Sequence, residues 1–175
     1  MQNSLSLFYI PFHGVIKIIL IIAEKPSLAR NIASAIGGAK QKSGMIECGE
    51  YIITWAFGHL FSLVDIEEYS PNPDENRWSM KNIPCFPEEF KFELKRDKNK
   101  QTDAGVSRQF NIIKELCRSE RIDTIVNAGD SDREGEIIIR LCVDKASPEN
   151  KAFKRLWLPD QTPETIRSAI SEMKD

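Results

Sequence analysis

A β-branched run that leads into a dense acidic turn, and then into an apolar run, constrains the fold of this chain more than any other feature. Residues 121–126 predict a short strand, and residues 137–143 predict a buried helix. Between them lies the run Asp130-Ser131-Asp132-Arg133-Glu134-Gly135-Glu136. The acids therefore fall at the carboxyl end of a strand and the amino end of a helix, where open α/β sheets bind their ligands.

The spacing of the acids favours a metal site that handles phosphate. Asp130, Asp132 and Glu134 lie two residues apart, and such carboxylates repel one another unless a positive group lies between them. Mg²⁺ prefers oxygen ligands and commonly combines one or two carboxylates with water and phosphate oxygens. The alternative is helix N-capping, for which a single Asp or Ser is enough. We therefore predict a Mg²⁺ site in which one of the acids also caps the helix.

A second predicted strand, near the start of the chain, ends in charged residues. Residues 17–23 are nearly all apolar, too few to span a bilayer as a helix, and predict a buried parallel strand. Glu24 and Lys25 follow, and Pro26 suits the first turn of a helix. If the two strands are adjacent and parallel, Glu24 and Lys25 lie beside the aspartates. The alternative is a surface ion pair between Glu24 and Lys25, which would contribute little stability.

Strand and helix patterns alternate along much of the chain and predict a mainly parallel α/β sheet with helices on both faces and a β-hairpin insertion. The predicted elements include a helix that ends at Gly37-Gly38, a hairpin of residues 45–48 and 51–57, strands at 88–94 and 152–156, and helices at 106–117, 133–144 and 162–173. Four prolines between residues 64 and 87 predict a long loop.

The acidic run resembles the DxDxE motif of Toprim domains, and its Arg-Glu-Gly continuation is most similar to type IA DNA topoisomerases, the topoisomerase III branch in particular. The run Ala23-Glu24-Lys25-Pro26-Ser27 matches the other half of that signature, and Gly58-His59-Leu60 and Arg77-Trp78 also resemble that family. The resemblance implies a Rossmann-like Toprim domain over residues 17–175. Residues 1–16 would be an N-terminal extension, and the remaining topoisomerase domains would lie outside this chain.

The resemblance also implies an activity and its residues. The family reaction is Mg²⁺-dependent breakage and rejoining of single-stranded DNA, which changes DNA topology through a tyrosine from another domain. The implied catalytic residues are Glu24, Lys25, Arg133 and Glu134. The implied metal ligands are Glu24, Asp130 and Asp132. The implied DNA-side residues are His59, Arg77 and Trp78.

Some of these residues have simpler interpretations. Arg133 could pair with a neighbouring acid instead of steadying phosphate. His59 could be structural, since a lone histidine is more often structural than catalytic. Trp78 could fold over a core edge beside a surface arginine at position 77, instead of stacking on a base.

Composition and the tyrosines limit what this chain can do alone. Its 175 residues carry a formal net charge of −2, which argues against coating nucleic acid by charge alone. None of Tyr9, Tyr51 and Tyr69 lies in a setting that resembles the family's catalytic tyrosine. We therefore expect an inactive fragment whose partners are single-stranded DNA and the remaining domains of the same polypeptide.

Two other classes of function remain open: a stand-alone Toprim nuclease or primase-like enzyme, and a non-enzymatic phosphate-binding module. The chain lacks closely spaced cysteine pairs and the basic leader of a secretory signal. This pattern predicts buried free thiols in a cytoplasmic protein. We also expect the protein to have no membrane segment and to be monomeric.

Overall fold

A computed structural model describes residues 17–69 and 86–175. The strands within these residues are β1 (Ile18–Ala23), β2 (Lys40–Lys42), β3 (Met45–Cys48), β4 (Tyr51–Trp55), β5 (Phe61–Leu63), β6 (Phe92–Leu94), β7 (Ile122–Ala128) and β8 (Ala152–Arg155). The α-helices there are α1 (Pro26–Ile36), α2 (Ala104–Arg118), α3 (Arg133–Ala146) and α4 (Pro163–Ser171). A 3₁₀-helix spans Ile66–Tyr69.

The main sheet has six strands in the order β2-β3-β4-β1-β7-β8. Strand β1 pairs in parallel with β4 on one side and with β7 on the other, and β8 pairs in parallel with β7. Strands β3 and β4 form the predicted antiparallel hairpin, and β2 pairs antiparallel with β3. The mainly parallel α/β fold is therefore as predicted, and the parallel neighbours β1 and β7 are the two strands that lead into the charged segments.

Helices cover both faces of this sheet, as predicted. Helices α1 and α4 pack together on one face, and α2 and α3 pack together on the other. Strand β1 contributes side chains to the hydrophobic core on each face of the sheet. Leu20 and Ile22 face α2 and α3, whereas Ile21 and Ala23 face α1 and α4. This two-sided burial explains why the first strand has no polar alternation.

Several strand predictions were incomplete or too long. Strand β2 was not predicted, because its Lys-Gln-Lys sequence is exposed and apolar periodicity marks only strands with a buried face. Strand β5 was also missed. The strand predicted at residues 88–94 forms only at Phe92–Leu94, where it pairs antiparallel with β5 in a separate two-stranded sheet. The 3₁₀-helix lies within the predicted loop 64–87, of which residues 70–85 fall outside the described residues, as do residues 1–16.

The three described cysteines, Cys48, Cys117 and Cys142, are free and buried, in agreement with the predicted buried thiols. Burial raises the pKa of the Cys117 and Cys142 thiols to about 12, so both are neutral and unreactive near pH 7. The remaining cysteine, Cys85, lies outside the described residues. Within the described part of the chain, no helix combines the length and the apolar character needed to cross a membrane.

Candidate active site

The carboxyl ends of β4, β1 and β7 lie side by side at one edge of the sheet. Ala23 pairs with Trp55 on one side and with Ala128 on the other, so the segments that follow all three strands emerge together. Beyond the strands, the Gly58 amide donates to the Glu24 carbonyl at 3.0 Å. The fold therefore brings Glu24, Gly58-His59 and the acidic turn to the same edge.

Glu24 is tied directly to the acidic turn. Its Oε2 accepts a hydrogen bond from the Asp130 backbone amide at 3.0 Å. The first turn of α3 closes over this contact: a Cβ at Gly135 would lie 2.4 Å from the Asp130 nitrogen and 2.9 Å from Glu24 Oε2. The Asp130 turn and Glu24 thus form a cradle against which only a glycine fits.

Lys25 supplies the positive charge that the crowded acids require. Its Nζ lies 2.7 Å from Asp130 Oδ2, and both side chains are partly exposed. The hydrogen bond to Asp130 raises the pKa of Lys25, while partial burial opposes the rise and the charges of Asp130, Glu24 and Asp132 add to it. Lys25 therefore pairs across the strand ends with Asp130 and not with its neighbour Glu24.

Asp132 caps helix α3, as expected for one of the acids. Its Oδ1 accepts a hydrogen bond from the Gly135 amide at 2.7 Å. Asp132 is exposed, as are Arg133 and Glu134 in the same turn. Among the residues described here, Arg133 forms no ion pair, so the predicted alternative of pairing with a neighbouring acid is not observed.

His59 contacts the acidic turn through Glu134. His59 Nε2 lies 3.2 Å from Glu134 Oε1, with both side chains partly open to solvent. The other two predicted DNA-side residues, Arg77 and Trp78, lie outside the described residues. Of the three, only His59 can therefore be placed, and it lies beside the acids.

Three residues without a predicted role form contacts at the base of the acidic turn: Asn127, Arg155 and Glu136, the last residue of the acidic run. Arg155 Nη2 donates to the Asp130 carbonyl at 2.7 Å, and Asn127 Nδ2 donates to Glu136 Oε2 at 2.8 Å. Arg155 is opposite Asn127 in the β7–β8 register. Glu136 could be read from the motif, but the contact of Arg155 depends on that register, which sequence periodicity does not encode.

The carboxylate oxygens of the candidate site are ligands of the kind that hard divalent cations prefer. Glu24, Asp130 and Asp132 each use one carboxylate oxygen in the contacts above, and the second oxygen of each has no hydrogen-bond partner among the described residues. Oxygen ligands of this kind suit Mg²⁺. In the arrangement described for residues 17–69 and 86–175, however, no three His, Cys, Asp or Glu side chains are placed to hold one ion together.

A family model described as "Toprim domain" matches residues 19–160, which extend from β1 past β8 and include the whole acidic turn. The chain belongs to the Toprim family. This confirms the family to which the paired motifs point, and it agrees with the mainly parallel sheet and its helices on both faces.

Proteins similar to this Toprim domain include DNA topoisomerase 3 of Staphylococcus epidermidis, at 36% identity over 156 residues, and DNA topoisomerase 3 of Bacillus cereus, at 36% identity over 155 residues. The "putative DNA topoisomerase 3" of Staphylococcus aureus is 35% identical over 156 residues. Each match covers 89% of this chain but only 20% of the relative. The chain therefore spans about a fifth of the length of these relatives.

Proposed function

We propose that this Toprim domain is the acidic half of the active site of a type IA DNA topoisomerase that breaks and rejoins single-stranded DNA. The observation that carries the proposal is the contact between Glu24 and the Asp130 turn across two adjacent parallel strands. The resemblance of these segments to type IA topoisomerases and the similarity to DNA topoisomerase 3 support the same conclusion. The domain would extend over residues 17–175 of a longer, cytoplasmic and monomeric polypeptide.

The attacking tyrosine would come from another part of that polypeptide. Tyr51 begins β4, at the opposite edge of the sheet from the acids. The Tyr69 hydroxyl accepts a hydrogen bond from the Lys91 amide at 2.7 Å. Tyr9 lies outside the described residues. Tyr51 therefore lies at the other end of the parallel strands from the acids, and the Tyr69 hydroxyl is already engaged by Lys91.

Glu24 is our candidate general acid and base. As the tyrosine oxygen bonds to phosphorus and releases its proton to solvent, the bond from phosphorus to the 3′-oxygen would break and Glu24 would protonate that oxygen. On rejoining, Glu24 would take this proton back and the released tyrosine oxygen would regain one from solvent. Lys25 and Arg133 would steady the negative charge of the phosphate, and Glu134 with His59 would lie beside the bound strand. Arg133 has no ion pair among the described residues, so it can turn toward DNA without breaking one.

Asp130 and Asp132 would hold Mg²⁺ with the oxygens left without protein partners, and Glu24 would lie beside them. When bound, the cation would neutralise phosphate charge and help to place the DNA. The protein's own contribution is to bring Glu24 against the Asp130 backbone, with Lys25 paired to Asp130 as its counter-charge.

The double variant Asp130→Asn/Asp132→Asn tests the proposed function. On this chain we expect at least about tenfold weaker Mn²⁺ binding by calorimetry, because two anionic ligands become neutral. In the longer polypeptide, we expect the variant to lose relaxation of negatively supercoiled DNA. Asp103→Asn is the matched control, since Asp103 caps α2 as Asp132 caps α3. Unchanged relaxation by the double variant would refute the assignment.

Assays on this chain alone distinguish the topoisomerase proposal from the two alternative classes of function. Metal-dependent cleavage of single-stranded DNA by this domain alone would favour a nuclease, since that reaction would need no tyrosine from elsewhere. Phosphate binding that is unaffected by removal of metal would favour a non-enzymatic module. The topoisomerase proposal predicts neither result.

Lys25→Met is expected to bind Mn²⁺ about three- to tenfold more tightly than the unaltered chain. The reason is that the Lys25 ammonium competes with a metal cation for Asp130, and charges this close interact even in a high dielectric. The gain should shrink at high salt. Lys17→Met is the control, because Lys17 pairs with Asp123 at 3.5 Å near the other edge of the sheet. Equal affinity in the Lys25 variant and the control would contradict this competition.

A further inference from the structure

We infer that Arg155 is a positioning residue that holds the backbone of the acidic turn in place from behind. Its guanidinium donates to four backbone carbonyls, and two of them are those of Asp130, the first residue of the turn, and Gly129 just before it. The other two acceptors are the carbonyls of Asn127 and Leu156. Arg155 does not need to contact DNA or metal to act in this way.

Three of the four contacts span the junction between β7 and the turn, and the fourth is to Leu156, directly after β8. Nη2 donates to Asp130 at 2.7 Å, and Nη1 lies 3.0 Å from each of the other three carbonyl oxygens. The Asn127 carbonyl also accepts the Leu156 amide and the Asp130 carbonyl the Asp132 amide, whereas among the described residues the Gly129 and Leu156 carbonyls accept only from Arg155. A planar guanidinium has N–H donors in a fixed arrangement and can donate to several carbonyls at once. A lysine ammonium at the same place cannot reproduce that arrangement.

The position of the guanidinium is itself fixed on two sides. Arg155 Nε lies 3.0 Å from Glu136 Oε2, an ion pair in which the N–H does not point along the hydrogen-bond direction. The guanidinium also stacks over the Trp157 ring at 5.2 Å. Only 11% of the Arg155 side chain is exposed. Burial lowers the pKa of Arg155 while Glu136 opposes that shift, and an arginine remains charged throughout.

Glu136 connects this anchor to the first turn of α3 and to β7. Its Oε2 also accepts the Asn127 side-chain amide at 2.8 Å, and Asn127 Oδ1 in turn accepts the Gly129 amide at 2.9 Å. Helix α3, strand β7 and the turn are thus joined through one mostly buried arginine and one carboxylate. Without the hydrogen bonds from Arg155, the Asp130 backbone would be less restrained. The Asp130 amide, which donates to Glu24, would loosen with it.

The test compares Arg155→Lys with Arg118→Lys. Arg118 is a matched control because its Nε also donates to a backbone carbonyl, that of Ala146, away from the acidic turn. We expect amide hydrogen exchange at Gly129 and Asp130 to become at least about tenfold faster in Arg155→Lys and to stay unchanged in Arg118→Lys. Exchange within β1 should not change in either variant, which separates local loosening from global unfolding.

Binding of Mn²⁺ to the same variants supplies the second readout, and this part rests on the proposed function. We expect about tenfold weaker binding in Arg155→Lys and unaltered binding in Arg118→Lys. Unchanged exchange at Gly129 and Asp130 overturns the inference, and faster exchange with unchanged Mn²⁺ affinity supports the anchoring of the turn but overturns its consequence for the metal site. If the unaltered chain binds no Mn²⁺ yet exchange accelerates only in Arg155→Lys, the metal proposal fails while the anchoring of the turn by Arg155 is supported.

Discussion

Gly135→Ala is expected to lower the free energy of unfolding by about 3 kcal/mol, although alanine is the better helix former. Gly135 lies in the first turn of α3, where alanine would normally gain up to about 1 kcal/mol. Here its Cβ would lie 2.4 Å from the Asp130 nitrogen and 2.5 Å from the Asp130 oxygen. Both are backbone atoms, so the strand end and the helix must move apart, and overpacking of this kind commonly costs about 1–3 kcal/mol or more.

The same substitution should loosen the site, because the third close atom is Glu24 Oε2 at 2.9 Å. Urea unfolding followed by circular dichroism measures the stability, and Mn²⁺ calorimetry measures the site. Gly105→Ala in the first turn of α2 is the matched control, since its new Cβ would meet only one side-chain atom, Asp103 Oδ1, at 3.2 Å and no backbone of another segment. We expect that control to change stability by less than about 1 kcal/mol. Equal stability of the two variants would show that the cradle can widen at little cost.

The parallel sheet and the meeting of the two charged segments could be predicted from sequence for a physical reason. A strand buried on both faces is apolar along nearly its whole length, so the acidic residues that follow it mark the end of the strand in the sequence. Adjacent parallel strands then bring Glu24 and Asp130 to the same edge. The cap on α3 was also predictable, because Asp132 precedes the apolar face of that helix.

The parts that escaped prediction depend on register or on contacts between distant segments. Lys25 pairs with Asp130, 105 residues away, whereas the sequence offered the adjacent Glu24 as an equal partner. Arg155 reaches the turn because β8 pairs in parallel beside β7, and strand order has no signature in local periodicity. Strand β2 escaped because it is an exposed edge strand without an apolar face.

Glu136→Ala is expected to lower the free energy of unfolding by about 3 kcal/mol, at the lower end of the range for breaking a buried ion pair. Glu136 is 29% exposed, but its partner Arg155 is only 11% exposed. Without the carboxylate, that guanidinium would remain buried with carbonyl partners alone. The Asn127 amide would lose its 2.8 Å acceptor, and Arg140 would lose its partner one turn along α3.

Glu164→Ala is the matched control, because Glu164 pairs with Arg167 at 3.3 Å on an exposed face of α4. The side chains of that pair are 79% and 54% exposed, so its loss should cost less than about 1 kcal/mol. A third variant, Glu136→Gln, keeps an acceptor for Asn127 but removes the charge. If charge compensation of Arg155 dominates, the Gln variant should be nearly as unstable as the Ala variant in urea unfolding. If the Gln variant recovers most of the loss, hydrogen bonding to Asn127 is the larger effect, and a loss in Glu136→Ala no greater than in Glu164→Ala would contradict the prediction altogether.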